Sequence, residues 1–259
     1  MAARKLRSGI RRFVAANRAL CQACERRCPH FFGFPSYQDD LRRRIDADLA
    51  ARPGDVLEVG GIDRPFLSKG NGYRYVGMDI EEKPQCHQIY DWFIGQSIEQ
   101  PIDGEYGVIM SITLLEHVRD NVASLQNIFD ALRPGCSTHH YVPGKGHPYA
   151  LALRTVGARW QKRLIPILRP ATVEETGYRT YFHCCSAKEM VNLFREVGFE
   201  EIRIRSFYRA NDYFAFFFPA FIAVTAFENL CERFGWDYFA SGFVISGRRP
   251  NSSSVVGSG

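Results

Sequence analysis

The sequence is most informative at first in what it lacks. No uncharged apolar run reaches the roughly 20 residues needed to cross a bilayer. The longest, Tyr213 to Phe227, covers fifteen residues and contains Pro219. The first residues are positively charged, but neither an apolar stretch nor a small-residue cleavage site follows, so no secretory leader is expected. The eight cysteines show no disulfide-framework spacing, and the adjacent Cys184 and Cys185 are awkward to bridge. Reduced thiols in a cytoplasmic protein are expected. Internal repeats are also missing. A basic excess is missing from most of the chain, although the formal net charge is +5. Residues 1–45 hold eleven Lys and Arg against Glu25, Asp39 and Asp40, a local +8, which leaves the remainder at −3. The main body therefore gives no electrostatic reason to expect a nucleic-acid partner.

What remains, in 259 residues, is enough for one large core with an appendage. Three divisions are expected: a basic, cysteine-containing arm over 1–38, a main domain over 39–250 with an aromatic insert near 209–239, and a disordered tail over 251–259. In the arm, Leu6, Ile10, Phe13, Val14 and Leu20 share one helical face, interrupted by Asn17, with Arg4, Lys5, Arg7, Arg11 and Arg18 around it. Such a helix suits an anionic membrane surface or docking on its own domain. The aromatic insert could be a lid over an apolar acceptor, a homodimer surface or core. Cys21, Cys24, Cys28 and His30 could form a zinc set, but so short a segment rarely wraps a tetrahedral ion, and no metal is expected.

Short apolar runs alternate with helical spacing through the main domain. Residues 55–60, 74–80, 106–112 and 139–143 read as buried strands, the last following a turn at Pro134–Gly135. Residues 201–208 and 242–247 read as final strands. Residues 39–51 and 120–133 have helical spacing, with Val122, Leu125, Ile128, Phe129 and Leu132 along one face of the second. Strands alternating with helices imply a parallel sheet with right-handed crossovers.

Two details carry chemistry. Gly60 and Gly61 directly follow the first strand, where glycines let backbone approach a ligand at the sheet's carboxyl edge. Asp79 ends the next strand about twenty residues later, where a carboxylate can accept from both hydroxyls of a ribose. Ordered behind them are a buried strand running into Leu115-Glu116-His117, a helix, and Pro134-Gly135 before another strand.

This ordered set resembles the class I S-adenosylmethionine-dependent methyltransferases, the small-molecule branch with an LEH motif after the fourth strand. The resemblance implies a doubly wound, mostly parallel seven-stranded sheet, a Rossmann-like methyltransferase fold. It also implies S-adenosyl-L-methionine as cofactor and methyl transfer to a small-molecule acceptor, with a glycan or lipid-linked intermediate open. Carried over residue by residue, Glu58, Gly60 and Gly61 lie against the methionine end of the cofactor. Asp79 holds the ribose, with Ile80 against the adenine; Gln96 and Ser97 stand near the adenine amino group, and Ser111 lies beneath. His117 is the candidate base, its neighbour Glu116 beside it, and His140, Tyr141, Lys145 and His147 are expected on the acceptor side. A His that merely packs the start of the next helix is the alternative.

The chain departs from the family pattern in places. Ile62-Asp63-Arg64-Pro65 replaces the further glycines of the first loop, Gln96 replaces the usual Asp, and Cys136 replaces a glycine. Thr113 stands where a metal-binding acid would be in the ubiquinone-pathway branch, so that metal is not expected. Two other function classes stay open. A scaffold of the same fold without turnover is one. A nicotinamide oxidoreductase is disfavoured, because a dinucleotide fingerprint needs glycine where Ile62 and Pro65 stand.

Overall fold

The computed structural model describes residues 2–62, 64–149 and 180–251, with side chains from residue 8 onward. Asp63, the side chain of Leu6 and the tail beyond Asn251, all part of the sequence expectations, lie outside the described residues. The chain divides into two compact units. One comprises Ser36–Pro143, Thr180–Arg205 and Phe243–Gly259; the other comprises Met1–Pro35, Gly144–Arg179 and Ser206–Gly242. Most of the arm, expected as an appendage, and the aromatic insert, expected within the main domain, fall in one unit.

The first unit is built on a seven-stranded sheet in the order β3-β2-β1-β4-β5-β7-β6. The strands are β1 (Val56–Val59), β2 (Tyr75–Asp79), β3 (Trp92–Gly95), β4 (Tyr106–Ile112), β5 (Leu132–Pro143), β6 (Glu200–Phe207) and β7 (Gly242–Arg248). β1 pairs in parallel with both β2 and β4, β2 with β3, and β4 with β5. Because β1 lies between β2 and β4, the winding direction reverses there, and the carboxyl ends of β1 and β4 open the crevice where such sheets bind ligands. Buried Leu57, Val59, Val76, Met78 and Ile109 fill the core, as near-continuous apolar strands covered on both faces require.

Helices α3 (Tyr37–Ala51), α5 (Asn121–Ala131) and α6 (Ala187–Val197) flank the sheet. Between β1 and β2 the described residues form turns without a helix, and only the single-turn α4 (Cys86–Ile89) separates β2 from β3. Asp120 caps α5 by accepting from the Val122 and Ala123 N–H groups. The helix buries Ser124, Leu125, Ile128 and Ala131, whereas Val122, expected on that face, is 48% exposed. α3 is tied to the sheet by polar contacts. His139 bonds Asp48 of α3 at 3.0 Å and Ser246 of β7 at 2.8 Å, and the Ser246 hydroxyl also accepts from Arg44 at 3.0 Å.

β5 begins at Leu132, earlier than expected, and runs through Pro134–Gly135. Gly135 adopts φ +75°, and the pairing with β4 shifts register between Tyr106 and Val108, so the expected turn is an irregularity inside a strand.

The second unit is helical. In α1 (Ala2–Arg27), Val14 and Cys21 are buried, while Phe13 is 52% and Leu20 46% exposed. Asn17, which looked like a flaw in the stripe, accepts a 2.8 Å bond from the Phe218 N–H, and the Cys21 thiol donates to the Ala215 carbonyl. The short α2 (Pro29–Phe32) and α7 (Asn211–Phe214) precede α8 (Phe218–Phe234). Pro219 does not interrupt an apolar segment. It sits in the first turn of α8, where its missing N–H has no intrahelical partner to lose. No helix of the described residues is long and apolar enough to cross a membrane.

Candidate active site

The site is assembled at the carboxyl ends of β1 to β4. Register places Val59 beside Met78 and Asp79 beside Gly95, so the residues following β1, β2 and β3 form one row along a single edge. Gly60, Asp79 and Gln96 occupy that row.

Gly60 leaves β1 at φ +85°, a conformation that favours glycine, and a Cβ there would press on the Leu114 side chain at 3.1 Å. At Gly61 a Cβ would overlap the Tyr90 hydroxyl and come within 2.8 Å of the Glu58 carboxyl carbon. Ile62 continues the turn at φ +43°, a strained backbone for a β-branched residue.

Glu58 is only 2% exposed. Its carboxylate accepts from the Phe66 N–H at 3.1 Å and from the Tyr75 hydroxyl, which in turn accepts from the Leu67 N–H at 3.1 Å. Burial pushes the Glu58 carboxyl up to about 8, opposed by the Phe66 N–H and the Tyr90 hydroxyl. Glu58 therefore fastens the far end of the loop that begins at Gly60. Its side chain shapes the loop from within.

Asp79 is half-buried, and its Oδ1 accepts from the Glu81 N–H at 2.9 Å. Burial raises its pKa, while the Glu81 and Ile80 N–H groups lower it. A carboxylate offers about four acceptor positions, so this local bond leaves capacity for a ligand. Ile80, beside it, is 71% exposed, a large apolar surface at the site's rim. Gln96 donates its amide to the Pro101 carbonyl at 2.8 Å, which turns the amide oxygen into the remaining acceptor. Ser97 accepts from the Glu99 N–H at 3.2 Å and so closes the turn after β3.

Ser111 is fully buried at the end of β4, and its hydroxyl is bonded to His140 Nδ1 at 2.7 Å. The other nitrogen of His140 meets the Thr138 hydroxyl at 2.6 Å. Burial holds His140 down at about 3, so this ring stays neutral. His140 was expected on the acceptor side; it is instead the interior partner of Ser111, because its position on β5 points it into the sheet. Tyr141 is stacked on Tyr37 with ring centroids 3.7 Å apart. Lys145 and His147 belong to the other unit, where His147 lies against Tyr149 and Tyr213.

After β4, Thr113 takes φ +53° and Leu115–His117 forms one 3₁₀ turn. Glu116 is 3% exposed, and the His117 side chain is 30% exposed with Nε2 3.6 Å from Glu116 Oε1. Burial pushes the Glu116 carboxyl up to about 8. Asn121 and Cys185, which support this turn from α5 and from the segment before α6, carried no sequence signal. Their partners lie 6 and 70 residues away. A separate small recess lined by Asp48, Arg52, Gly135 and Arg248 lies at the amino ends of β4 and β5, away from this edge.

A family model described as a methyltransferase domain matches residues 34–204, well over half of the chain. The chain belongs to the methyltransferase-domain family. With the sheet order above, it is a class I enzyme of that family, S-adenosylmethionine-dependent in type. Among solved structures it is similar to a SAM-dependent methyltransferase from Archaeoglobus fulgidus, at 14% identity and TM-score 0.53, covering 82% of this chain and 92% of that one. A SAM-dependent methyltransferase from Thermotoga maritima matches at 13% identity and TM-score 0.47, covering 81% and 89%. Phosphoethanolamine N-methyltransferase 2 of Haemonchus contortus, solved with S-adenosyl-L-methionine, matches at 10% identity and TM-score 0.48, covering 81% of this chain and 53% of that one. The chain thus spans about half the length of the Haemonchus protein. These identities speak to the fold alone. No curated protein matches the sequence.

Proposed function

We propose that this methyltransferase binds S-adenosylmethionine along the row formed by Gly60, Asp79, Ile80 and Gln96 and methylates a small-molecule acceptor beside His117. The observation that carries the reading is the row itself. A glycine turn, a strand-end carboxylate, an exposed apolar side chain and an amide acceptor stand in succession on three adjacent strands at the switch point. That donor set suits an amino-acid tail, a ribose diol, an adenine face and an adenine amino group. Asp79 would hold the ribose, Ile80 the adenine face and Gln96 the adenine edge. Gly60 and Gly61 would hold the methionine end, on a loop shaped by Glu58. Ser97 and Ser111 support the site through the β3 turn and the sheet floor.

The bound cofactor supplies an electrophilic methyl group on a sulfonium. The protein must align an acceptor with it and receive the acceptor's proton. Alignment supplies much of the acceleration for so activated a group. His117, partly exposed beside the buried Glu116, would take that proton.

A lipid-linked acceptor is favoured over a freely soluble glycan by one observation in the helical unit. Arg11, Arg12, Arg26 and Arg27 are exposed on α1 together with Phe13 and Leu20, a combination suited to an anionic membrane surface. Transfer of a labelled methyl group from S-adenosylmethionine into aqueous and organic fractions of a cell extract tests both statements. Label in the organic fraction supports the lipid-linked class, and label in neither leaves a scaffold. Asp79→Ala should weaken S-adenosylhomocysteine binding at least tenfold by calorimetry, since each bond to a charged acceptor is worth roughly 1.5–3 kcal/mol. Asp79→Asn should be milder, and equal affinities in all three proteins would remove the site from this edge.

A further inference from the structure

We propose that Glu116 is the positioning residue for His117: its buried carboxyl group, 3.6 Å from the imidazole, orients the ring that takes the acceptor's proton. The inference rests on the reading above and adds to it the group that completes the base. In the step, the acceptor heteroatom bonds to the methyl carbon as the carbon–sulfur bond breaks onto sulfur. The proton of the acceptor O–H or N–H passes to His117.

Three observations carry it. Glu116 is 3% exposed, yet its Oε2 has no hydrogen-bond partner among the described residues, an unusual state for a buried carboxyl. A side chain buried for stability would be surrounded by donors, as Glu58 is. Next, the turn that presents Glu116 is clamped from both sides through backbone alone. The Leu115 carbonyl accepts from Asn121 Nδ2 at 2.9 Å and from the Cys185 thiol at 3.4 Å, while the Glu116 carbonyl accepts from the Tyr181 and Phe182 N–H groups at 2.8 and 3.0 Å. The clamp fixes the main chain, and the carboxyl is met by the Glu116 N–H and the neighbouring imidazole. Finally, the turn enters through Thr113 at φ +53°, a costly backbone conformation kept at the point where the chain must turn Glu116 inward and His117 outward.

The titratable groups facing this turn are few among the described residues. Burial and the nearby Glu116 push the Cys185 thiol up to about 12, which keeps it neutral. The His183 Nδ1 accepts from the Asn121 N–H at 3.2 Å, and Arg119 donates to the Tyr181 hydroxyl at 3.0 Å.

The test is a pH titration of the His117 ring by NMR in the full chain labelled with ¹³C-histidine, with and without S-adenosylhomocysteine, the resonance identified from His117→Gln. In the wild type the His117 curve should show two inflections, one of them from Glu116. In Glu116→Gln the second inflection should disappear and the remaining midpoint should move, because the group facing the ring no longer ionises. Superimposable curves would overturn the proposal. If circular dichroism shows that Glu116→Gln does not fold, Glu116→Asp carries the same test, and an unmoved curve there overturns it equally. Failure of the wild type to bind S-adenosylhomocysteine would sink the methyltransferase reading by itself, because the ligand-free titration still decides the coupling.

Discussion

Glu58 and Glu116 stand at the carboxyl ends of neighbouring strands, both nearly sealed from water, and burial pushes both up to about 8. Their surroundings differ. Glu58 is met by the Phe66 N–H and the Tyr75 hydroxyl, and a loop hangs from it. Among the described residues Glu116 has one oxygen without a hydrogen-bond partner, and it faces an imidazole across 3.6 Å. Burial alone therefore does not reveal what a carboxylate is for; the count of donors around it does. Where donors surround it, the acid organises the fold. Where they are missing, the protein bears a cost that only chemistry at the site accounts for.

The largest effect that would test this contrast is on rate. His117→Ala should slow methyl transfer by ~10²–10⁴, the usual contribution of a positioned base, while donor affinity stays within about twofold. Single-turnover kinetics with the acceptor recovered from the labelling experiment, beside calorimetry, separates the two. An unchanged rate would reduce the turn after β4 to packing and erase the contrast.

Next in size is stability. Glu58→Ala strands the Phe66 N–H and the Tyr75 hydroxyl in the interior, at about 1–3 kcal/mol for each orphaned group. A total of ~3 kcal/mol should lower the thermal midpoint by roughly 6–12 °C. Glu116→Gln should move the same midpoint by about 1–2 °C at most, because it strands no donor. Differential scanning calorimetry at pH 7 gives both numbers. Equal losses at the two positions would mean that Glu116, too, is structural.

Much of this was legible in the sequence wherever a local pattern fixed it. The glycine pair after an apolar run and the acid at the end of the next run place Gly60 and Asp79 at one sheet edge, since strand ends in a parallel sheet share that edge. β3 escaped because Trp92–Gly95 is four residues with an irregular exposure pattern and offers neither alternation nor a continuous apolar run. His140 was misplaced for a different reason. A strand residue's type does not say which way it faces, and its partners Ser111 and Thr138 are matched only after β4 and β5 pair. Asn17 looked like a defect in an apolar stripe because its partner, the Phe218 N–H, is 201 residues away. The role of Glu58 was obscured likewise. A glutamate among strand residues reads as a ligand contact until the loop that returns to it is seen.

Glu228 supplies the smallest test, and it lies in the other unit. It is fully buried in α8, and its two oxygens accept from the Ala210 and Asn211 N–H groups at 2.7 and 3.0 Å, so by donor count it belongs with Glu58. Burial pushes its carboxyl up to about 7, opposed by those two N–H groups. The folded state therefore holds the proton more tightly than the unfolded chain does. Its contribution to stability is fully present below the unfolded carboxyl range near 4.5 and is lost as pH rises through about 7. Between pH 6 and 8 the loss from this group should be on the order of 1 kcal/mol, or about 2–4 °C in the midpoint. Glu228→Gln has no proton to lose. It should be less stable than the wild type at pH 5, where it gives up one of the two accepted bonds, and its midpoint should lose that part of the decline between pH 6 and 8. Thermal melts of both proteins at half-unit steps of pH show the difference between their slopes. Parallel curves would mean that Glu228 is ionised throughout, held as an anion by its two backbone donors. Donor count would then govern charge as well as role, and the comparison of Glu58 with Glu116 would have to be redrawn with Glu58 as an anion too.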